Sequence, residues 1–191
     1  MDHLTNYLEG LKEALANLDL EAVKRSRELL ASARESGQQV FVCGNGGSAA
    51  TASHLANDLG KGASYGRDSR RFRVIALTDN IPWITALAND VSYDSVFSEQ
   101  LQNLGQPGDL LIAISGSGNS RNVLNAVEVA RQKQMTTIGW TGFGGGELAG
   151  AVDLPVVVDS HHMGRVEDAH MIMTHLVCYF FMEEAGDGGT E

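Results

Sequence analysis

Asp109-Leu110-Leu111-Ile112-Ala113-Ile114-Ser115-Gly116-Ser117-Gly118-Asn119-Ser120 reads as a buried strand that ends in a hydroxyl-bearing loop and opens a helix. An earlier stretch repeats the device. Gln39-Val40-Phe41-Val42-Cys43 runs into Gly44-Asn45-Gly46-Gly47-Ser48 and then into an alanine-rich helix. Backbone N–H groups at a helix start are unpaired and carry partial positive charge, so each copy is a candidate anion site. Two of them in one short chain predict a phosphorylated ligand.

Outward from these two stretches, apolar runs near 39–43, 72–77, 109–114, 136–140 and 154–158 alternate with helical patterns. The helices are expected near 47–59, 80–88, 93–104, 119–133, 144–150 and 164–185. Continuous apolar strands alternating with helices predict an α/β fold, a parallel sheet covered on both faces. Ligands in such sheets bind beyond the carboxyl ends of the strands, where both loops fall. Ahead of the sheet, Leu4, Leu8, Leu11, Leu15 and Leu18 form one helical stripe. A second helix is expected over about 19–34, with Asp19 as N-cap and Gly37 as its stop. The Gly/Ser-rich, basic segment Gly60 to Arg71, with Lys61, Arg67, Arg70 and Arg71, reads as a mobile loop beside the site.

The 191 residues suit a single domain, with 1–37 as a helical hairpin for packing or oligomerisation and 38–185 as the core. A hydrophobic content of 43% and a charged content of 20% are those of an ordinary globular chain. The net charge of −10 argues against nucleic acid, whose phosphates need clustered Lys and Arg. No run approaches the roughly 18 apolar residues of a membrane span, and the acidic amphipathic N-terminus does not read as a signal peptide. Cys43 in a strand and Cys178 in an apolar helix fit a reducing cytoplasm.

Gly44 to Ala49 also satisfies the dinucleotide fingerprint, but that motif needs an acidic residue about 20 positions on. The next strand ends near Leu77, too late for it, so a cradle for phosphate or sugar hydroxyls is the better reading. In the second loop one of Ser115, Ser117 and Ser120 is expected to be a plain N-cap, but three together exceed what capping requires. No Lys follows, so the loop is not a P-loop. His54 and Asp58 share a helix face at i and i+4. Glu167 and His175, eight apart, lie within roughly 80° of each other on the last helix. Two imidazoles and two carboxylates predict either a Zn²⁺-like metal site or a division of acid and base work. His161, His162 and His170 read as solvated or ion-paired histidines.

The segment Cys43-Gly44-Asn45-Gly46-Gly47-Ser48 with its following His54, the stretch Ala88 to Phe97, the serine loop and the helix Arg165 to His175 together resemble the sugar isomerase (SIS) domain. Within it they are most similar to the sedoheptulose 7-phosphate (phosphoheptose) isomerases. The resemblance implies a three-layer αβα sandwich with a five-stranded parallel, flavodoxin-like sheet plus N-terminal helices. It implies a homotetramer with active sites between subunits, acting on a phosphorylated sugar in the cytoplasm. Phosphate would bind Ser115, Gly116, Ser117 and Ser120. Sugar hydroxyls would meet Asn45, Gly46, Gly47 and Ser48, with Asn89 and Asp90. The family's zinc ligands fall on His54, Asp58, Glu167 and His175, with Glu167 also facing substrate, and its catalytic pair on Asp58 and His175. Another divalent metal would suit the same donors. The family carries Glu at position 58 and Gln at position 167, so the chain departs from the pattern at both. Some SIS relatives instead bind a protein partner such as the bacterial replication initiator. They share the Ala88–Phe97 and Gly142–Gly150 patterns but lack the acid and the final-helix histidine kept here, which favours an enzyme. An isomerase of a different sugar phosphate is the other alternative. The leucine stripe either covers the chain's own core or seals against another subunit.

Overall fold

The computed structural model describes residues 2–66 and 68–183. Helices α1 (His3–Ala16) and α2 (Leu20–Ser36) precede β1 (Gln39–Gly44) and α3 (Gly47–Asn57), which passes into a π-helical turn over Asp58–Gly62. Then come β2 (Arg73–Ala76), α4 (Ile81–Asp90), α5 (Ser98–Leu104), β3 (Leu110–Ser115), α6 (Arg121–Gln132), β4 (Thr136–Thr141), α7 (Gly146–Ala151), β5 (Leu154–Val157) and α8 (Met163–Glu183). All five strands pair in parallel, in the order β2-β1-β3-β4-β5. Chain progression reverses between β1 and β3, and both glycine- and serine-rich loops leave the sheet there.

Alternation along the strands divides the core between two faces. Val40, Val42, Leu110, Ile112 and Ile114 pack with α2, α3 and α8. Phe41, Cys43, Leu111 and Ala113 pack with α5, α6 and α7 on the other side. Both sheet faces are therefore dry, which is why the strands are apolar at successive positions. Asp19 caps α2 by accepting from Ala22 N at 3.0 Å, and Gly37 ends it at φ +70°, both as expected.

Two expectations change, and a third falls outside the described residues. The single helix expected over 93–104 is broken into a 3₁₀ turn at Tyr93–Ser95 and α5. The segment after Gly60, expected as a mobile loop, is anchored within its described residues: buried Ser64 donates to Leu59 O at 2.8 Å and accepts from Phe72 N at 3.0 Å. The last helix is described to Glu183, so its expected end at 184–185 and the tail beyond lie outside the described residues. Among the described residues no helix is long and apolar enough to cross a membrane.

The leucine stripe of α1 divides. Leu18 is buried and Leu15 packs against the core, while Leu4 and Leu8 stay 73% and 55% exposed. Helix α4 is apolar over Ile81-Pro82-Trp83-Ile84, yet none of its residues is buried.

Candidate active site

The two loops form one cavity. Asn45, Gly46, Gly47 and Ser48 face Ser115, Gly116, Ser117 and Ser120 across a space of about 240 Å³, which Met163 and Glu167 of α8 close. Neither α3 nor α6 has a side-chain N-cap; Ala49 N and Val123 N are taken by loop carbonyls, and the amides ahead of them, of Gly47 and Ser48 and of Arg121 and Asn122, are the ones a ligand could meet. Ser120 stands at the N-cap position of α6, but its hydroxyl accepts from Ser115 Oγ at 3.1 Å instead of capping the helix. Ser117 Oγ accepts from Asn119 N at 3.2 Å and tightens the turn. The loop leans on the glycine run after β4: Gly118 O accepts from Leu148 N at 2.9 Å, and Asn119 Oδ1 accepts from Glu147 N at 3.0 Å.

The first loop is held by residues that the sequence reading passed over. Asn45 and Asn122 exchange amide hydrogen bonds of 2.8 and 2.9 Å, and Tyr93 donates to Asn45 Oδ1 at 2.9 Å. Asn122 is 2% exposed in the first turn of α6, and an amide directly after a ligand loop was the available signal.

His54, Asp58 and His175 converge as expected. Their ligand atoms all lie within 4.8 Å of one another. His54 Nε2 stands 3.1 Å from His175 Nε2 and 3.2 Å from Asp58 Oδ2. Donors around a tetrahedral zinc at about 2.0–2.1 Å stand roughly 3.3 Å from each other, so these separations fit a metal. Two imidazoles and a carboxylate are the protein donor set of catalytic zinc sites. The change of α3 into a π-helical turn at Asp58 lies within this cluster, a common place for such a turn. Cys178 lies behind it, its thiol pushed up to about 12 by burial and by the Asp58 carboxylate.

Glu167 is placed apart from that trio. Its carboxylate lies against Gly47 Cα, so close that a Cβ there would stand 2.5 Å from it, and it lines the serine cavity. The Gly47–Glu167 and His54–His175 contacts show α3 and α8 running side by side in the same direction. Seven residues along α3 and eight along α8 put the two ends of the site about 10–12 Å apart. Asn89 and Asp90 end the exposed helix α4, bonded to each other at 2.8 Å, and do not line the cavity. Of the basic segment, Arg70 donates to the Glu35 carbonyl oxygen at the end of α2, not to the cavity. His161 and His162 make ring contacts with Phe143 and Tyr7. His170, expected to be solvated or ion-paired, is instead buried with 1% exposure.

The family model for the SIS domain matches residues 3–142. The phosphoheptose isomerase of Alteromonas mediterranea is 39% identical over 178 residues, covering 91% of this chain and 89% of that protein. The structure of a phosphoheptose isomerase from Francisella tularensis superposes with a TM-score of 0.87 at 30% identity, covering 94% of this chain and 96% of that one. The phosphoheptose isomerase from Neisseria gonorrhoeae superposes at 0.83 with 33% identity and 94% coverage of both chains. Topology, paired loops and sequence agree: the chain belongs to the SIS domain family and, within it, to the phosphoheptose isomerase-like proteins.

Proposed function

We propose that the protein is an aldose–ketose isomerase that interconverts sedoheptulose 7-phosphate and D-glycero-heptose 7-phosphate through an enediol(ate). The observation that carries this reading is the two-ended site on α3 and α8. An uncapped pair of helix starts with three serines lies at one end, and His54, Asp58 and His175 lie at the other. A sugar phosphate extended between them would rest its phosphate on Ser115, Gly116, Ser117 and Ser120 and its hydroxyls on Asn45, Gly46, Gly47 and Ser48. Its carbonyl end would reach the histidines.

The Asp58 carboxylate moves the proton between C1 and C2, and His175 exchanges a proton with the adjacent oxygen. Glu167 accepts hydrogen bonds from sugar hydroxyls at the wall of the cavity. A divalent metal, zinc on the chemistry of the donors, would be held by His54, Asp58 and His175 and would polarise the substrate carbonyl; an atom that holds the metal cannot carry the proton at the same time, so the two roles compete at Asp58 and His175. Both cysteines are free, buried and held up to about 12 by burial, which suits a reducing cytoplasm.

The working unit is a homotetramer with sites between subunits. Exposed Leu4 and Leu8, and a helix α4 with apolar residues but none buried, supply faces for such contacts. Asn89 and Asp90 at the end of α4 would then complete a neighbour's site. Light scattering of the purified protein should give about four times the 20.4 kDa chain mass; a mass near that of one chain would overturn this assembly.

The function is tested by incubating the zinc-loaded protein with sedoheptulose 7-phosphate and following the ¹³C or ¹H spectrum. Appearance of the aldose phosphate is expected. Turnover confined to a hexulose or pentulose phosphate would reassign the substrate. No turnover of any ketose phosphate by an intact oligomer would sink the enzyme and leave the partner-binding alternative.

A further inference from the structure

The Thr141–Gly142 peptide, at the end of β4, is gripped from two sides. Its carbonyl oxygen accepts from His170 Nε2 at 3.2 Å and from Val158 N at 2.8 Å. Its N–H donates to Gly116 O, in the serine loop, at 2.9 Å. One hydrogen-bonded path from α8 to the phosphate end of the cavity is therefore one imidazole and one planar peptide unit. Helix α8 also lies directly on this peptide, since a Cβ at Gly142 would run into Val166.

A carbonyl oxygen can only accept, so Nε2 carries the hydrogen and Nδ1 is left bare. Nδ1 is buried and has no partner among the described residues, and Trp140, whose ring centroid is 6.1 Å away, leaves its Nε1 unpaired too. Burial holds the imidazole down to about 4, so the ring stays neutral and keeps its single donor. Around it on α8, Val166, Ala169, Met173 and Val177 are apolar and fully buried. An apolar residue at 170 would avoid a bare nitrogen in the core, so filling space does not explain a histidine here.

We propose that His170 is a positioning residue for phosphate binding: its Nε2–H sets the Thr141–Gly142 peptide, and through it the serine loop, against the wall of α8 that carries Met163 and Glu167. This hydrogen bond, outside the cavity, adds a directional tie to the direct packing of Met163 and Val166 against Gly116 and Gly142. This rests on reading the serine loop as the phosphate cradle, and the test separates the two.

Inorganic phosphate binding is measured by ³¹P NMR on the parent protein, His170→Phe and His170→Gln, together with KM and kcat for the heptulose phosphate. Phenylalanine keeps the ring volume and removes the donor; glutamine restores an amide donor near Nε2. Misplacing the loop by a fraction of an ångström should raise the phosphate Kd and the KM about tenfold in His170→Phe, with kcat changed far less. His170→Gln should recover most of that loss. A folded His170→Phe with Kd and KM unchanged overturns the positioning role. Should His170→Phe not fold, the ¹⁵N resonance of His170 Nε2 in the parent protein decides. A shift on adding phosphate supports the role, and phosphate binding without a shift overturns it. A parent protein that binds no phosphate overturns the cradle reading and this inference with it.

Discussion

Replacing His175 with alanine is expected to lower kcat by about a thousandfold while leaving the unfolding midpoint close to that of the parent protein. A positioned acid or base contributes on the order of 10²–10⁴ in rate. His175 Nε2 is also one of three donors within 4.8 Å, so the substitution removes a group that serves the site as proton carrier or as metal ligand. The side chain stands beside a surface pocket of about 550 Å³ lined by Leu176, Tyr179 and Arg27, not in the dry core, so folding loses little by its removal. Elemental analysis makes the outcome specific. Protein purified without chelators should carry about one divalent metal per chain, and both His175→Ala and Asp58→Ala should lose it. Activity above about a tenth of the parent's in His175→Ala would show that the imidazole pair is not the catalytic end.

The second large effect is expected at Gly118. It sits at φ +69°, and a Cβ added there would overlap the carbonyl oxygen and carbon of Gly145, both backbone atoms that cannot swing aside. Across the same contact, a Cβ at Gly146 would stand 2.6 Å from Ser117 O. The glycine run after β4 and the serine loop after β3 are thus packed backbone to backbone, which only glycines allow. Gly118→Ala should cost about 3 kcal/mol, roughly 1 from the left-handed backbone and the rest from prising the two loops apart. It should also abolish measurable phosphate binding. Gly144→Ala is the control: its φ of +74° carries the same backbone strain, but nothing lies within 4 Å of the added Cβ. That variant should lose only about 1 kcal/mol and keep its phosphate affinity. Equal losses in the two variants, read from urea midpoints, would contradict the steric account.

Much of this fold was legible because local chemistry repeats itself. The strands begin and end within about one residue of the apolar runs, since the central parallel strands β1 and β3 are buried on both faces and therefore apolar at successive positions, stopping at Gly44 and Ser115. Asp19 and Gly37 bounded α2 by capping rules alone. The serine loop and its asparagine-bearing counterpart each read as an anion site because both leave a strand for a helix start; their union in one cavity is the structure's. What local pattern missed is equally physical. The break between Tyr93–Ser95 and α5 lies in a stretch whose composition permits helix throughout. Asn122 and Tyr93 belong to the site only through bonds to Asn45, 77 and 48 positions away in the chain.

By itself the sequence determined the class of the molecule: a parallel α/β sheet with two anion-seeking helix starts at its switch point, and a set of imidazoles and carboxylates beside them. Tertiary structure alone decided how that set divides. Helical periodicity places Glu167 and His175 on one side of α8, but it cannot say which atoms of α3 each will meet. Because α3 and α8 pack in parallel, residues two turns apart stay two turns apart, so Glu167 goes to the phosphate wall and His175 to the histidine–aspartate cluster. His170 shows the same limit from inside the core: the sequence reads it as solvated or ion-paired, and only the meeting of three chain segments buries it and gives it a carbonyl to hold.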